Sequence, residues 1–243
     1  MTLATGGGLP VSVVAHGLGA SVPETRALAG GVPGTKLFPV ARGHLDAPAV
    51  EVAGYEELAH DLRTVADEHG ATQAFGISLG AHTLLRILAH DPMRFTRVVL
   101  FLPAAIDTPV RRPPALVSAL LAGDREAVLA AVREELGDVS DPVTEAYARS
   151  RADRMLASPG LIPLLSALPG DRPVPDRTLL RAVDVDVLVI GQEGDDLHPA
   201  AVARELAATL PRAELVVFDA PGAAFTERRR LRDLIGAHLG GTT

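Results

Sequence analysis

The stretch TQAFGISLGAHTLLRILAH, residues 72–90, places a short apolar run directly before a helical pattern rich in Ala and Leu. Only Gly76-Ile77-Ser78-Leu79-Gly80 joins the two. The run reads as a buried strand, and residues 79–90 as a helix. Glycines on either side of a serine permit a sharp strand-to-helix turn, because a residue without Cβ accepts backbone angles and close approaches that others do not. Such a turn lifts Ser78 above the end of its strand. It also aims the Leu79 N–H, at a helix N-terminus, towards a site that favours negative charge. G-x-S-x-G is a common string by itself and can mark no more than a tight turn of small residues. Between a strand and a helix it has the form of a nucleophile elbow.

The same rhythm extends outward. VSVVAH (11–16), TKLFPV (35–40), RVVLFL (97–102), VDVLVI (185–190) and AELVVF (213–218) read as further strands. Their nearly continuous apolarity suits strands buried on both faces. Helical patterns at 22–30, 54–69, 199–210 and 226–239 alternate with them, and Pro199 opens the third of these at a first-turn position. This order predicts an α/β fold with a mostly parallel, doubly wound sheet. Residues 103–182 break the rhythm. They hold no clear strand but four amphipathic helical patterns, Ala115–Leu121, Arg125–Leu136, Val143–Leu156 and Leu161–Leu168. So long a connection reads as a helical cap inserted over the strand C-termini, with residues 1–102 and 183–243 as the core.

Composition narrows the chemistry. The chain has 243 residues, of which 47% are hydrophobic and 3% aromatic, so core and pocket are mostly aliphatic. A net charge of −7 supplies no basic field for nucleic acid or an anionic membrane. With no cysteine, disulfides, thiolate metal sites and a cysteine nucleophile are excluded. The opening residues lack the pattern of a signal peptide, and no apolar run is long enough to span a bilayer, so a soluble cytoplasmic protein is expected.

Three further segments carry a resemblance. VVAHGLGAS (13–21) ends a strand with His16-Gly17, ARGHLDAP (41–48) contains an R-G-H triplet, and VDVLVI runs into Gly191-Gln-Glu-Gly-Asp195-Asp196-Leu-His198-Pro199. With the elbow, these resemble the α/β-hydrolase fold family over nearly the whole chain. The resemblance implies Ser78 as nucleophile and oxyanion donors at the Leu18 and Leu79 N–H groups. His16 and His44 become scaffold residues, and the acid is Asp195, which stands four residues before Pro199. The alternative reading of Asp195 and Asp196 is helix capping, and Asp107 is a second acid position. The family's opening β-hairpin is expected to be shortened or absent, since the chain starts almost at VSVVAH.

A further departure from the family, beside Leu45 where it usually has glycine, bears on catalysis. After the last strand a glycine–histidine pair is expected, and the chain reads Gly222-Ala223. Alanine cannot accept a proton. Either another histidine acts, or hydrolysis has been lost while the pocket remains, or a histidine at 223 has been exchanged for alanine to trap a substrate. Of the eight histidines, His60, His69, His90 and His238 are expected in solvated positions and His82 against the sheet. His198 lies in the acid loop and is the best base. Its separation of three residues from Asp195 demands an unusual loop, failing which Asp196 or Asp107 would orient it.

The expected function is therefore a serine hydrolase for a carboxylic ester or thioester of a small apolar molecule, with Ser78, His198 and Asp195 as triad. No metal or organic cofactor is implied. Substrate polarity rests on the aliphatic cap residues Leu116, Leu120, Leu161, Leu164 and Leu165, which can equally be cap core. The rival is a non-hydrolytic member of the fold, a cyclase, a lyase or a ligand-binding protein of specialised metabolism, for which Ser78 and His198 would lie far apart.

Overall fold

Side chains on the central strands alternate between two apolar faces, which explains why these strands read as unbroken hydrophobic runs. The computed structural model describes residues 2–45, 47, 54–110, 114–137 and 140–241; Asp46 and Pro48 of the 41–48 segment lie outside them. Its strands are β1 (Thr2–Gly6), β2 (Val11–Ala15), β3 (Thr35–Pro39), β4 (Gln73–Ile77), β5 (Arg97–Phe101), β6 (Asp186–Gln192) and β7 (Ala213–Phe218). Its α-helices are α1 (Val22–Leu28), α2 (Tyr55–Glu68), α3 (Leu79–His90), α4 (Pro114–Ala122), α5 (Arg125–Leu136), α6 (Pro142–Leu156), α7 (Leu161–Ala167), α8 (Ala200–Thr209), α9 (Ala223–Thr226) and α10 (Arg228–Gly240).

The strands form one sheet in the order β1-β3-β2-β4-β5-β6-β7, parallel except for β1. Two rows of register partners cross its centre. Val13, Ala74, Val98 and Val187 face the buried sides of α2, α3 and α8. Val14, Phe75, Val99 and Leu188 face Leu231, Ile235 and Leu239 of α10. The fold is thus a doubly wound α/β sheet, as the alternation of elements predicts.

One strand goes unread in the sequence. β1 pairs only with β3 and is largely exposed, so it shows no hydrophobic signature. Among the described residues it is the single strand that precedes β2. Between β5 and β6 the described residues hold no strand and four α-helices, α4 to α7. Their ends are well marked: Asp124 accepts the Ala127 N–H at the start of α5, and Gly137 closes that helix with φ of 74°. Their apolar faces pack on one another and on Leu18, Tyr55, Leu58 and Leu79, which places this layer over the C-terminal ends of β2 and β4. No helix among the described residues is long and apolar enough to cross a membrane.

Candidate active site

Ser78 stands where β4 gives way to α3, with φ of 49° and ψ of −107°. A non-glycine residue held there costs about 1–3 kcal/mol and persists only where its surroundings enforce it. The flanking glycines make that possible. A Cβ on Gly76 would lie 2.5 Å from the Gly80 carbonyl oxygen, and one on Gly80 would lie 2.3 Å from that of Ala15. The turn is pinned by the Ser78 N–H, which donates to the Phe101 carbonyl at 2.8 Å. Leu79 is the first residue of α3, so its N–H belongs to the first turn, where no intrahelical acceptor exists.

The second half of the site comes from the end of β6, which runs two residues further than the sequence pattern indicates and delivers Gln192. Gly194, at φ of 70°, then turns the chain. Asp195 Oδ1 accepts the N–H groups of Leu197 and His198 at 3.0 and 2.9 Å, wrapping the loop around its own carboxylate. This wrapping turns the His198 ring back onto the carboxylate across a separation of only three residues. The His198 Nδ1–H donates to Asp195 Oδ2 at 3.0 Å, and the Ser78 hydroxyl donates to His198 Nε2 at 2.9 Å. Serine, imidazole and carboxylate form one hydrogen-bonded chain.

Asp196 and Asp107 do not join this chain. α8 starts at Ala200, and Pro199 lies just outside it rather than in its first turn, bridging back to Gln192. The Asp195 carboxylate therefore serves loop N–H groups and not the helix. Asp196 is exposed, and Asp107 is engaged by Arg177 at 2.6 and 2.7 Å.

Gln192 was not singled out by the sequence reading, yet it completes the chain behind the carboxylate. Its Nε2 donates to Asp195 Oδ2 at 2.7 Å and its Oε1 accepts the Ala223 N–H at 3.2 Å. Its signal was a polar residue ending an apolar strand. Ala223, where a histidine was expected, is fully buried and contributes its backbone donor. Burial pushes the Asp195 carboxyl up, but hydrogen bonds from His198 and Gln192 outweigh that effect and hold it at about 2.

Other histidines brace the scaffold. His16 Nε2 accepts the Ala41 N–H at 3.0 Å and its Nδ1–H donates to the Gly17 carbonyl at 2.8 Å. His44 Nε2 accepts the Gly19 N–H at 2.9 Å, and its ring meets that of His16 edge-on with centroids 4.6 Å apart. Burial pushes the pKa of His16 down, and burial together with the neighbouring His16 pushes that of His44 down to about 3. His82 is buried, and its Nε2 accepts the Ala104 N–H at 2.9 Å. His60, His69 and His90 are exposed as expected. His238 is not: it is half-buried, 3.2 Å from the Asp186 carbonyl, because α10 lays that face against the sheet.

Ser78, His198 and Asp195 open into a cavity of about 370 Å³ that Leu18 also lines. Its apolar wall includes Leu28, Ile77, Leu102, Leu136 and Phe225. Leu102 and Ser78 are the two non-glycine residues with positive φ among those described, and they meet here. The leucines expected to shape the substrate do not contribute. Leu116, Leu120, Leu161, Leu164 and Leu165 are buried against one another in the helical layer, since the apolar faces of α4 and α7 turn inward. Chemically, a serine hydroxyl against an imidazole can lose its proton as it attacks a carbonyl carbon. A buried carboxylate on the far nitrogen fixes the tautomer and stabilises the imidazolium.

No protein-family model matches the chain, and no curated protein matches it in sequence. Solved structures do match in shape over nearly its whole length. An enol-lactonase from Burkholderia xenovorans superposes with a TM-score of 0.83 at 20% identity, covering 99% of this chain and 96% of that one. An esterase from Exiguobacterium antarcticum gives 0.81 at 19% identity, covering 99% and 95%. A 2-hydroxy-6-oxo-6-phenylhexa-2,4-dienoate hydrolase from Rhodococcus gives 0.75 at 19% identity, covering 99% and 94%. The fold is that of the α/β-hydrolases.

Proposed function

We propose that this protein is a serine hydrolase acting on a carboxylic ester or thioester of a small apolar molecule, with its catalytic base moved into the acid loop. The observation that carries the proposal is the 2.9 Å contact between Ser78 Oγ and His198 Nε2, continued at 3.0 Å to Asp195. It is also the feature that disfavours a non-hydrolytic protein, for which the two side chains would stand apart.

In this reading Ser78 attacks the carbonyl carbon while His198 takes its proton. Negative charge gathers on the carbonyl oxygen, where the N–H groups of Leu18 and Leu79 receive it. Collapse expels the alcohol or thiol, protonated by His198, and leaves an acyl group on Ser78. Water, activated by the same imidazole, then releases the acid. Gln192 holds the Asp195 carboxylate in line, and the helices α4 to α7 act as a cap over the site. The apolar wall of the cavity supports a small apolar acyl group. A series of p-nitrophenyl esters from acetate to octanoate tests this. Turnover is expected for the short chains and lost in Ser78→Ala, whereas Ser78→Ala turning over as fast as the wild type would exclude the mechanism.

A further inference from the structure

The peptide groups around Leu18 are held from three directions. Gly17 O accepts from His16 and, at 3.2 Å, from the Ala20 N–H. The Gly19 N–H is taken by His44. The third tie comes from the helical layer: Arg151 of α6 donates through Nη2 to the Leu18 carbonyl at 3.0 Å. The same nitrogen reaches both carboxylate oxygens of Glu135 at the end of α5, at 2.9 and 3.0 Å. Arg151 is 6% exposed, so its charge is neutralised where it lies. α6 also presses on the turn directly, since a Cβ on Gly19 would fall 2.7 Å from Met155 Cγ.

The Leu18 carbonyl and the Gly19 N–H are opposite edges of one planar peptide unit, so holding the first through Arg151 and the second through His44 fixes that unit's orientation. The adjoining Gly17–Leu18 unit, which carries the Leu18 N–H, shares the Leu18 Cα and is held by His16. An oxyanion donor acts through pre-set direction, and loosening one forfeits rate without loosening substrate. From this geometry we infer that Arg151, held by Glu135, is a positioning residue for the Leu18 oxyanion donor, so that docking of the α5–α6 pair sets the oxyanion geometry. The inference rests on the hydrolase reading above.

The test uses Arg151→Met and the double variant Arg151→Met/Glu135→Leu, which leaves no unpaired charge buried. Steady-state kinetics on p-nitrophenyl acetate and butyrate are combined with deuterium exchange of peptides covering residues 16–21. In the double variant kcat is expected to fall about 10- to 100-fold with KM within about threefold. Exchange at 17–20 should rise while that of β2 and β4 stays unchanged. Wild-type kcat, unchanged exchange at 17–20, or a loss residing wholly in KM would each overturn the inference. A Ser78→Ala protein as active as the wild type would remove the parent reading and this one together. Dependence on Ser78 without an Arg151 effect would overturn this one alone.

Discussion

A histidine three residues from its carboxylate partner can meet it only if the intervening backbone folds back, and Asp195 arranges this itself. One oxygen gathers the N–H groups of Leu197 and His198, and the other receives the imidazole. A single short loop thereby supplies both the imidazole and the carboxylate of the hydrogen-bonded chain. Ser78 and Asp195 were legible because each sits in a fixed pattern, G-x-S-x-G and Asp four residues before Pro. His198 could be proposed but not placed, since its reach depends on loop hydrogen bonds that no spacing rule encodes. Because the Asp195 carboxyl is held at about 2, it stays ionised well below neutrality, and the folding stability this adds is full well above 3.8 and is lost progressively as pH falls from there to about 2. Asp195→Asn is therefore expected to lower the plateau of ester turnover, by up to about 10⁴-fold through the wrong tautomer. The plateau should fall without a new acid limb appearing near pH 4, and a pH–rate profile of the variant checks this.

At the scale of elements, the loop after β2 and the loop after β3 are joined by two buried histidines in place of an apolar contact. Neutral His16 and His44 each accept one backbone N–H of the other loop or turn. The folded-state pKa of His44, about 3, lies far below the ordinary value of 6.5. As pH falls below about 6.5 the unfolded chain binds a proton that the folded chain refuses, so stability drops as the solution is acidified. The slope is about 1.4 kcal/mol per pH unit for each such histidine. Urea unfolding at pH 7, 6 and 5 should show His44→Asn losing roughly 2 kcal/mol less than the wild type over this range. Parallel slopes for the two proteins would remove the buried histidine as the cause. Helix and strand positions here were readable because period and caps agree, as in α5. β1 was not, because the short edge strand Thr-Leu-Ala-Thr-Gly is largely exposed and has no core-facing row to announce it.

For the whole molecule, the two-faced sheet and the helical layer above it divide the labour between stability and chemistry. The apolar periodicity of α4 to α7 was visible, but amphipathic faces show only that something is buried, not what against. The structure buries Leu164 within the layer, where its Cδ2 would lie 3.3 Å from a Cβ on Gly43 of the loop below. Leu164→Ala is expected to cost about 2–5 kcal/mol of stability. Because Leu164 is absent from the cavity wall, ester KM should stay within about threefold of wild type. Thermal melting and steady-state kinetics on the same preparation separate the two effects, and a raised KM at unchanged stability would return this leucine to the substrate.

Whether His198 activates Ser78 is read by covalent labelling. A small dialkyl fluorophosphonate is added to the wild type, Ser78→Ala and His198→Ala, and intact mass is followed with time. One adduct on the wild type, none on Ser78→Ala, and labelling of His198→Ala slowed by about 10³-fold or more would be the predicted result. Labelling of His198→Ala at the wild-type rate, or an adduct on Ser78→Ala, would contradict it.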